Sequence, residues 1–206
     1  MHSYTTEENE KNKIIFNLAI ISSILSPAVS TFLHPLLQAI STKLQIPEIA
    51  AYSFSGGLIF AILWNICVKF LWKTPFFKLL FRIPCLKGTW NCIGEGKKCT
   101  SDEVNDWEAE IIIEQDLEKI SVFQKNKDGI SVSSSVSASI RKINTDIFEL
   151  SYLYRNTPQE QNPTLHSHTG VAILTFNMKE RTATGSYYTD LDRQSYGKMT
   201  LKKREE

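Results

Sequence analysis

Between Lys13 and Lys43 the chain carries no aspartate, glutamate, lysine or arginine, and between Glu48 and Lys69 it again carries none. Nothing else in the sequence restricts the fold as much. A membrane-spanning helix needs ~20 predominantly apolar residues, and the two uncharged windows, read as about 14–40 and 49–68, both reach that length. Asn17, Ser22, Ser23, Ser26 and Pro27 interrupt the first; Ser53, Ser55, Gly56, Gly57 and Asn65 interrupt the second. Small and polar residues of this kind suit helix–helix contacts inside a bilayer. A pair of buried soluble helices is the alternative reading. A cleaved signal peptide fits less well, because Glu7, Glu8 and Glu10 make the leading segment acidic, the first window is too long and a second follows.

The whole-chain average hides this organisation. With 206 residues, a net charge of +1 and 42% hydrophobic residues, the protein reads as an ordinary soluble one. Divided at residue 82, however, the first part holds 7 Lys/Arg against 4 Asp/Glu and the remainder 16 against 18, or +3 and −2. The near-neutral total argues against direct DNA or RNA binding driven by bulk positive charge. Lys69, Lys73, Lys78, Arg82 and Lys87 follow the second window, Lys11 and Lys13 precede the first, and the connection between them carries only Lys43. The positive-inside rule therefore predicts two transmembrane helices with both termini in the cytoplasm. Residues 1–13 are expected to be a cytoplasmic tail. Residues 69–83, where Phe70, Trp72, Phe76, Phe77 and Phe81 mingle with the cations, are expected to be a basic aromatic linker at headgroup depth.

From Leu86 onward the hydrophobic period changes to two. Trp107, Ala109, Ile111 and Ile113 alternate with polar residues, as do Phe148, Leu150, Tyr152 and Tyr154. Ile130, Val132, Ser134, Val136, Ala138 and Ile140 alternate with Ser131, Ser133, Ser135, Ser137 and Ser139, which predicts that the serines form a solvated face. Eight strands are expected, at about 87–93, 106–115, 118–126, 130–143, 146–156, 168–176, 181–190 and 194–202. The fold class predicted is an N-terminal transmembrane α-hairpin (14–68) followed by an all-β domain (84–206), an antiparallel eight-stranded β-barrel. A barrel of that size has room for one small ligand. The polar second face of the strands argues against an outer-membrane barrel.

No phosphate-binding, nucleophile-elbow, zinc-protease or dinucleotide-fold motif occurs, so no catalytic residue is assigned and the protein is not expected to be an enzyme. Cys67, Cys85, Cys92 and Cys99 contain no CxxC pair, and a cytoplasmic domain keeps them reduced. His166 and His168 alone are a weak metal signal, so neither a metal nor a cofactor is assigned. Asp190 and Asp192 read as turn residues.

The order of short motifs is more specific than any one of them. The β segment opens with Leu86-Lys87-Gly88-Thr89-Trp90. It continues through Leu150-x-Tyr152-x-Tyr154-x-Asn156-x-Pro158 and His168-x-Gly170-x-Ala172-x-Leu174. It closes with Gly185-x-Tyr187-x-Thr189, Arg193 and Gly197-x-Met199-x-Leu201. Behind two membrane helices, this series resembles the two-helix, β-barrel membrane effectors of bacterial cyclic-oligonucleotide-based anti-phage signalling (CBASS), over residues 14–202. It departs at Asp190-Leu191-Asp192-Arg193, where acid stands beside the arginine. The resemblance implies an activating ligand, a cyclic di- or trinucleotide made by a partner nucleotidyltransferase (CD-NTase). It also implies a homo-oligomer formed on binding, disruption of the inner-membrane bilayer and abortive cell death.

The residues suit that ligand. A cyclic dinucleotide offers two π-faces and two phosphates, so a receptor wants aromatic platforms, hydroxyls and amides, and a cation. Tyr152, Tyr154 and Asn156 fall on one face of a strand, Tyr187 and Thr189 on another, and His168 at the start of a third, with Arg193 placed for a phosphate. These seven are the candidate ligand-binding residues. Trp90 and Trp107 are expected in the core, Arg155 outside, and Arg141 or Lys142 within reach of the pocket. An apolar interior would point instead to a membrane-tethered barrel for an apolar metabolite, and a filled one to a barrel that only docks a protein partner.

Overall fold

The computed structural model describes residues 1–6, 10–45, 47–77, 83–101, 103–127, 131–158 and 166–205. The chain forms two units, a helical one (Asn9–Ile83) and a β one that joins Met1–Glu8 to Pro84–Glu206.

In the helical unit α1 spans Glu10–Phe32, α2 His34–Leu44 and α3 Glu48–Lys69, followed by a 3-10 turn at Leu71–Lys73. The first uncharged window is thus two helices, not one. Pro35 sits in the first turn of α2, where its missing N–H breaks no bond, and it biases His34 away from continuing α1. Leu33 takes φ −90°, ψ 4° and still donates its N–H to Val29 O at 2.9 Å. Two stretches, Glu10–Phe32 and Gly56–Lys73, are long and apolar enough to cross a membrane. Phe16, Ile24, Phe32, Leu58 and Ile62 stand exposed on them, as lipid-facing residues do. Of the expected linker, Phe70 and Phe76 are exposed and Trp72 is buried; Lys78, Phe81 and Arg82 lie outside the described residues.

Among the described residues the β unit has nine strands rather than eight: β1 His2–Thr6, β2 Gly88–Lys98, β3 Val104–Gln115, β4 Lys119–Asn126, β5 Ser131–Lys142, β6 Ile147–Pro158, β7 His168–Asn177, β8 Thr182–Thr189 and β9 Ser195–Lys203. They run in the order β1-β4-β3-β2-β9-β8-β7-β6-β5, and β1 also pairs with β5, so the sheet closes into a barrel. Every pairing is antiparallel except β1 with β5, which is parallel. The additional strand comes from the segment expected to be a tail. Its signal, Tyr4 buried between exposed Ser3 and Thr5, is too short to register as alternation.

Inward residues at one end make the core. Trp90, Ile111, Ile113, Leu150, Leu174, Phe176 and Leu201 are almost fully buried there, and Trp90 meets Phe176 edge-on at 4.9 Å. The indole N–H of Trp90 donates to Leu86 O at 3.1 Å. Gln115 is buried yet well partnered: Oε1 accepts the Leu86 N–H at 2.7 Å, and Nε2 donates to Pro84 O at 3.0 Å. Such partners remove the cost of a buried amide.

On β5 the register shifts between Ser135 and Ser137. This bulge corrects the reading of the serine series as one solvated face. An extra residue reverses which side chains point inward. Past the bulge Ala138 and Ile140 turn inward as expected. Before it Ser133 is buried, and Val136, at the bulge itself, is exposed.

Candidate ligand-binding site

The end of the barrel away from the core is not filled. A cavity of about 270 Å³ opens there, and all seven candidate residues line it: Tyr152, Tyr154, Asn156, His168, Tyr187, Thr189 and Arg193. Register explains the convergence. Tyr154 pairs with Gly170 and Asn156 with His168 across β6 and β7, and Tyr187 pairs with Gly197 across β8 and β9.

The aromatic rings sit on glycines. A Cβ at Gly94 would lie 2.2 Å from the Trp107 ring, one at Gly96 2.4 Å from Tyr187 Oη, and one at Gly170 2.4 Å from Tyr154 Oη. Each ring therefore lies over backbone that only glycine leaves bare. Trp107 meets Tyr187 edge-on at 5.7 Å, and Tyr152 lies 6.1 Å from Tyr154. Tyr152 is buried at the floor of the cavity and belongs to the core as well. Burial pushes the phenols of Tyr152, Tyr154 and Tyr187 above the ordinary tyrosine value, so all three stay neutral near pH 7.

The polar lining is mostly carboxamide and hydroxyl. Asn156 Nδ2 donates to Ser133 Oγ at 2.8 Å and Ser131 Oγ at 3.2 Å, and Gln124 Nε2 donates to Asn126 Oδ1 at 3.2 Å. Thr189 also lines the cavity, but its hydroxyl is committed locally. It accepts the Ser195 N–H at 2.8 Å and donates to Ser195 O at 3.0 Å, clamping the β8–β9 turn. His168 is held below the ordinary histidine value, first by burial and also by the Arg193 charge; a backbone hydrogen bond to His166 works the other way. His166 offers only that carbonyl, at 3.4 Å from Nδ1. Among the described residues no cluster of His, Cys, Asp or Glu could hold a metal.

Among the described residues Arg193 is the one charged residue in the lining, and none of them there is a carboxylate. The acid beside it in sequence points elsewhere. Asp190 Oδ2 accepts the Thr169 N–H at 2.6 Å and the Thr169 hydroxyl at 3.0 Å, and Oδ1 accepts the Arg193 backbone N–H at 3.3 Å. These bonds, the Thr169 N–H foremost, hold the Asp190 carboxyl below the usual range. Asp190 thus shapes the turn and leaves the Arg193 side chain, exposed at the rim, unpaired by any described residue. Arg141 and Lys142 do not line the cavity; Arg141 bonds to Glu149 through Nε at 3.2 Å and Nη2 at 3.1 Å.

Sequence reasoning missed several lining residues: Asn105, Trp107, Gln124, Asn126, Ser131, Ser133 and Ser195. Trp107 was expected in the core. Its inward face was legible from Ala109 and Ile111; that the barrel empties at that level was not. Gln124 and Asn126 continue the inward face of Ile120 and Val122, and two amides on an apolar face were the available signal.

The profile of a family described as the Cap15 cyclic dinucleotide receptor domain matches residues 81–203, which is β2 through β9. The chain belongs to the Cap15 family. It is also 31% identical over 195 residues to CD-NTase-associated protein 15 of Yersinia aleksiciae, an alignment covering 93% of this chain and 91% of the relative. Cap15 membership supports a CBASS effector with a cyclic-dinucleotide receptor domain, as the motif order implied, and the chain carries two helices long and apolar enough to cross a membrane.

Proposed function

We propose that a cyclic dinucleotide enters the open end of this barrel. One base stacks among Trp107, Tyr154 and Tyr187, and a phosphate meets Arg193 and His168. The observation that carries this reading is the lining itself: among the described residues, aromatic rings, carboxamides, hydroxyls and a single arginine, with no carboxylate. Each feature matches a ligand group. Rings supply sequence-tolerant stacking, carboxamides donate and accept at a base edge, and guanidinium pairs with phosphate. An apolar metabolite would strip water from these amides and offer them no further hydrogen bond, at a cost.

The cavity is smaller than the ~300–1,000 Å³ of common ligand pockets. At about 270 Å³ it takes one nucleotide half, and the other half rests at the rim near Arg193 and Asn105. Binding then favours a homo-oligomer of the full chain, whose membrane helices breach the inner membrane and kill the infected cell. The nucleotide comes from the partner CD-NTase; the barrel recognises it without catalysis. Both termini and the barrel face the cytoplasm.

Calorimetry of the detergent-solubilised full chain against a panel of cyclic di- and trinucleotides tests the reading. The expected result is 1:1 binding of at least one cyclic dinucleotide per chain, weakened at least tenfold by Tyr187→Ala. Heat from none of them, or equal affinity in the variant, removes it.

A further inference from the structure

Among the described strands, β1 alone inserts between two others with an antiparallel partner on one side, β4, and a parallel partner on the other, β5. β4 and β5 pair directly only where Phe123–Lys125 meets Val132–Ser134. Beyond that β1 fills the space between them. His2 and Ser3 face Ile120 and Lys119 of β4, and Tyr4, Thr5 and Thr6 run parallel to Ala138, Ser139 and Ile140 of β5. β1 is thus paired through two residues on one side and three on the other. Tyr4 is buried in the barrel core, and its hydroxyl reaches Asp116 O at 3.3 Å and Gln115 Nε2 at 3.4 Å. His2 Nε2 makes a short bond, 2.7 Å, to Ser135 Oγ.

Ser135 ties this strand to the cavity. It is the last residue before the β5 bulge, and its Oγ also accepts the Val122 N–H at 2.9 Å. On its far side Ser131 and Ser133 line the cavity and hold Asn156. In the other direction the chain passes from Thr6 to Glu10, the first residue of α1, in three residues. One five-residue strand is therefore bonded at the bulge of the cavity wall and stands three residues before the first apolar helix in the sequence.

We propose that β1 is a releasable strap that couples occupancy of the cavity to α1. With the cavity empty, β1 stays between β4 and β5. A ligand that engages Ser131, Ser133 and Asn156 moves the β5 segment before the bulge, the Ser135–His2 bond is lost and β1 leaves. The ligand drives release by binding the released form better. This inference rests on the reading of the cavity as a cyclic-dinucleotide site.

The test uses the full chain in liposomes filled with self-quenched dye. Ser3→Cys and Lys119→Cys join antiparallel partners that are both exposed, a placement a disulfide can bridge. Cys99, the exposed native cysteine, is replaced by Ser. Oxidised protein is expected to bind the cyclic dinucleotide found by calorimetry at least tenfold more weakly than the reduced form, because the better-binding released form is closed to it, and at saturating nucleotide to release dye at least tenfold more slowly; reductant restores both. In the chain without the added cysteines, ligand is expected to speed amide exchange at residues 119–122 and 138–140 at least tenfold. His2→Ala, which makes no crosslink, is expected to release dye at lower ligand concentration. Equal dye release from the oxidised and reduced forms, or unchanged exchange under saturating ligand, overturns the strap. Failure of every cyclic dinucleotide to bind even the reduced form overturns the receptor reading instead.

Discussion

The indole N–H of Trp107 donates to the phenolic oxygen of Tyr187 at 3.3 Å, which holds two rings of the cavity edge-on to each other, with 72° between their planes. Gly96 makes that arrangement possible, because a Cβ there would meet Tyr187 Oη at 2.4 Å and no other atom closer than 3.5 Å. Gly96→Ala is therefore expected to displace the Tyr187 ring and leave the core intact. Stacking is worth ~1–3 kcal/mol per base, so affinity for cyclic dinucleotide should fall roughly tenfold while the barrel melts within a few degrees of the wild type. Calorimetry and a thermal melt on the same sample check both.

Tyr152 behaves differently. It lines the cavity but is also a core residue. Tyr152→Ala should destabilise the barrel by about 3–5 kcal/mol, as large-to-small aromatic changes in cores do. Any loss of binding would then report folding. Tyr152→Phe retains the ring, and its melt should stay close to that of the wild type. A Tyr152→Ala protein that melts normally would move this residue from the core to the site alone.

His168 gives the pH dependence two signs. Its value in the folded, empty barrel is lowered by burial, so on acidification the unfolded chain takes up a proton first. Stability of the empty barrel is therefore present above the ordinary histidine value and declines as pH falls through it toward the lowered one. A bound phosphate favours the imidazolium and raises the value in the complex. Affinity should then rise as pH falls from 7.5 to 5.5. His168→Gln should flatten both trends. Affinity that ignores pH while stability follows it would show that no phosphate lies at His168.

How far the sequence revealed this protein depends on the level. Strand identity and facing were legible because alternation is a local signal, which is why Tyr154, Asn156 and Tyr187 could be grouped. The β5 bulge was not, since Val132, Ser134 and Val136 continue the alternation across it and nothing local marks the extra residue. β1 was hidden by brevity and by pairing with strands more than a hundred residues away. Asp190 beside Arg193 looked like a conflict in one dimension. In space the carboxylate bonds to Thr169 instead.

That last geometry separates two arginines. Arg193 is unpaired by any described residue at the cavity rim, whereas Arg141 is bonded to Glu149 outside it. Hydrogen bonds to charged groups are worth ~1.5–3 kcal/mol, and exposure at the rim reduces this through solvent screening. Arg193→Gln is expected to weaken binding about fivefold and to reduce its salt dependence. Arg141→Gln should change neither. Titrations at low and high salt decide the matter; an Arg193→Gln protein with undiminished salt dependence would place the phosphate elsewhere.

The membrane output can be tested at one pair of neighbours. In the helical unit, Ser23, Ser26, Ser30, Thr31 and His34 line a groove of about 710 Å³ together with Gly56 of α3. A Cβ on Gly56 would stand 3.3 Å from Ser26 Oγ, whereas one on Gly57 meets nothing within 4 Å. Small residues let helices approach closely in a bilayer, and polar residues there face protein or water rather than lipid. Gly56→Leu should force α1 and α3 apart and fill part of the groove. Its expected phenotype is unchanged nucleotide affinity with at least a tenfold loss of ligand-dependent dye uptake in cells. Gly57→Leu should retain uptake. If Gly57→Leu loses uptake and Gly56→Leu keeps it, the helix contact that matters lies between copies of the chain and not between α1 and α3 of one chain.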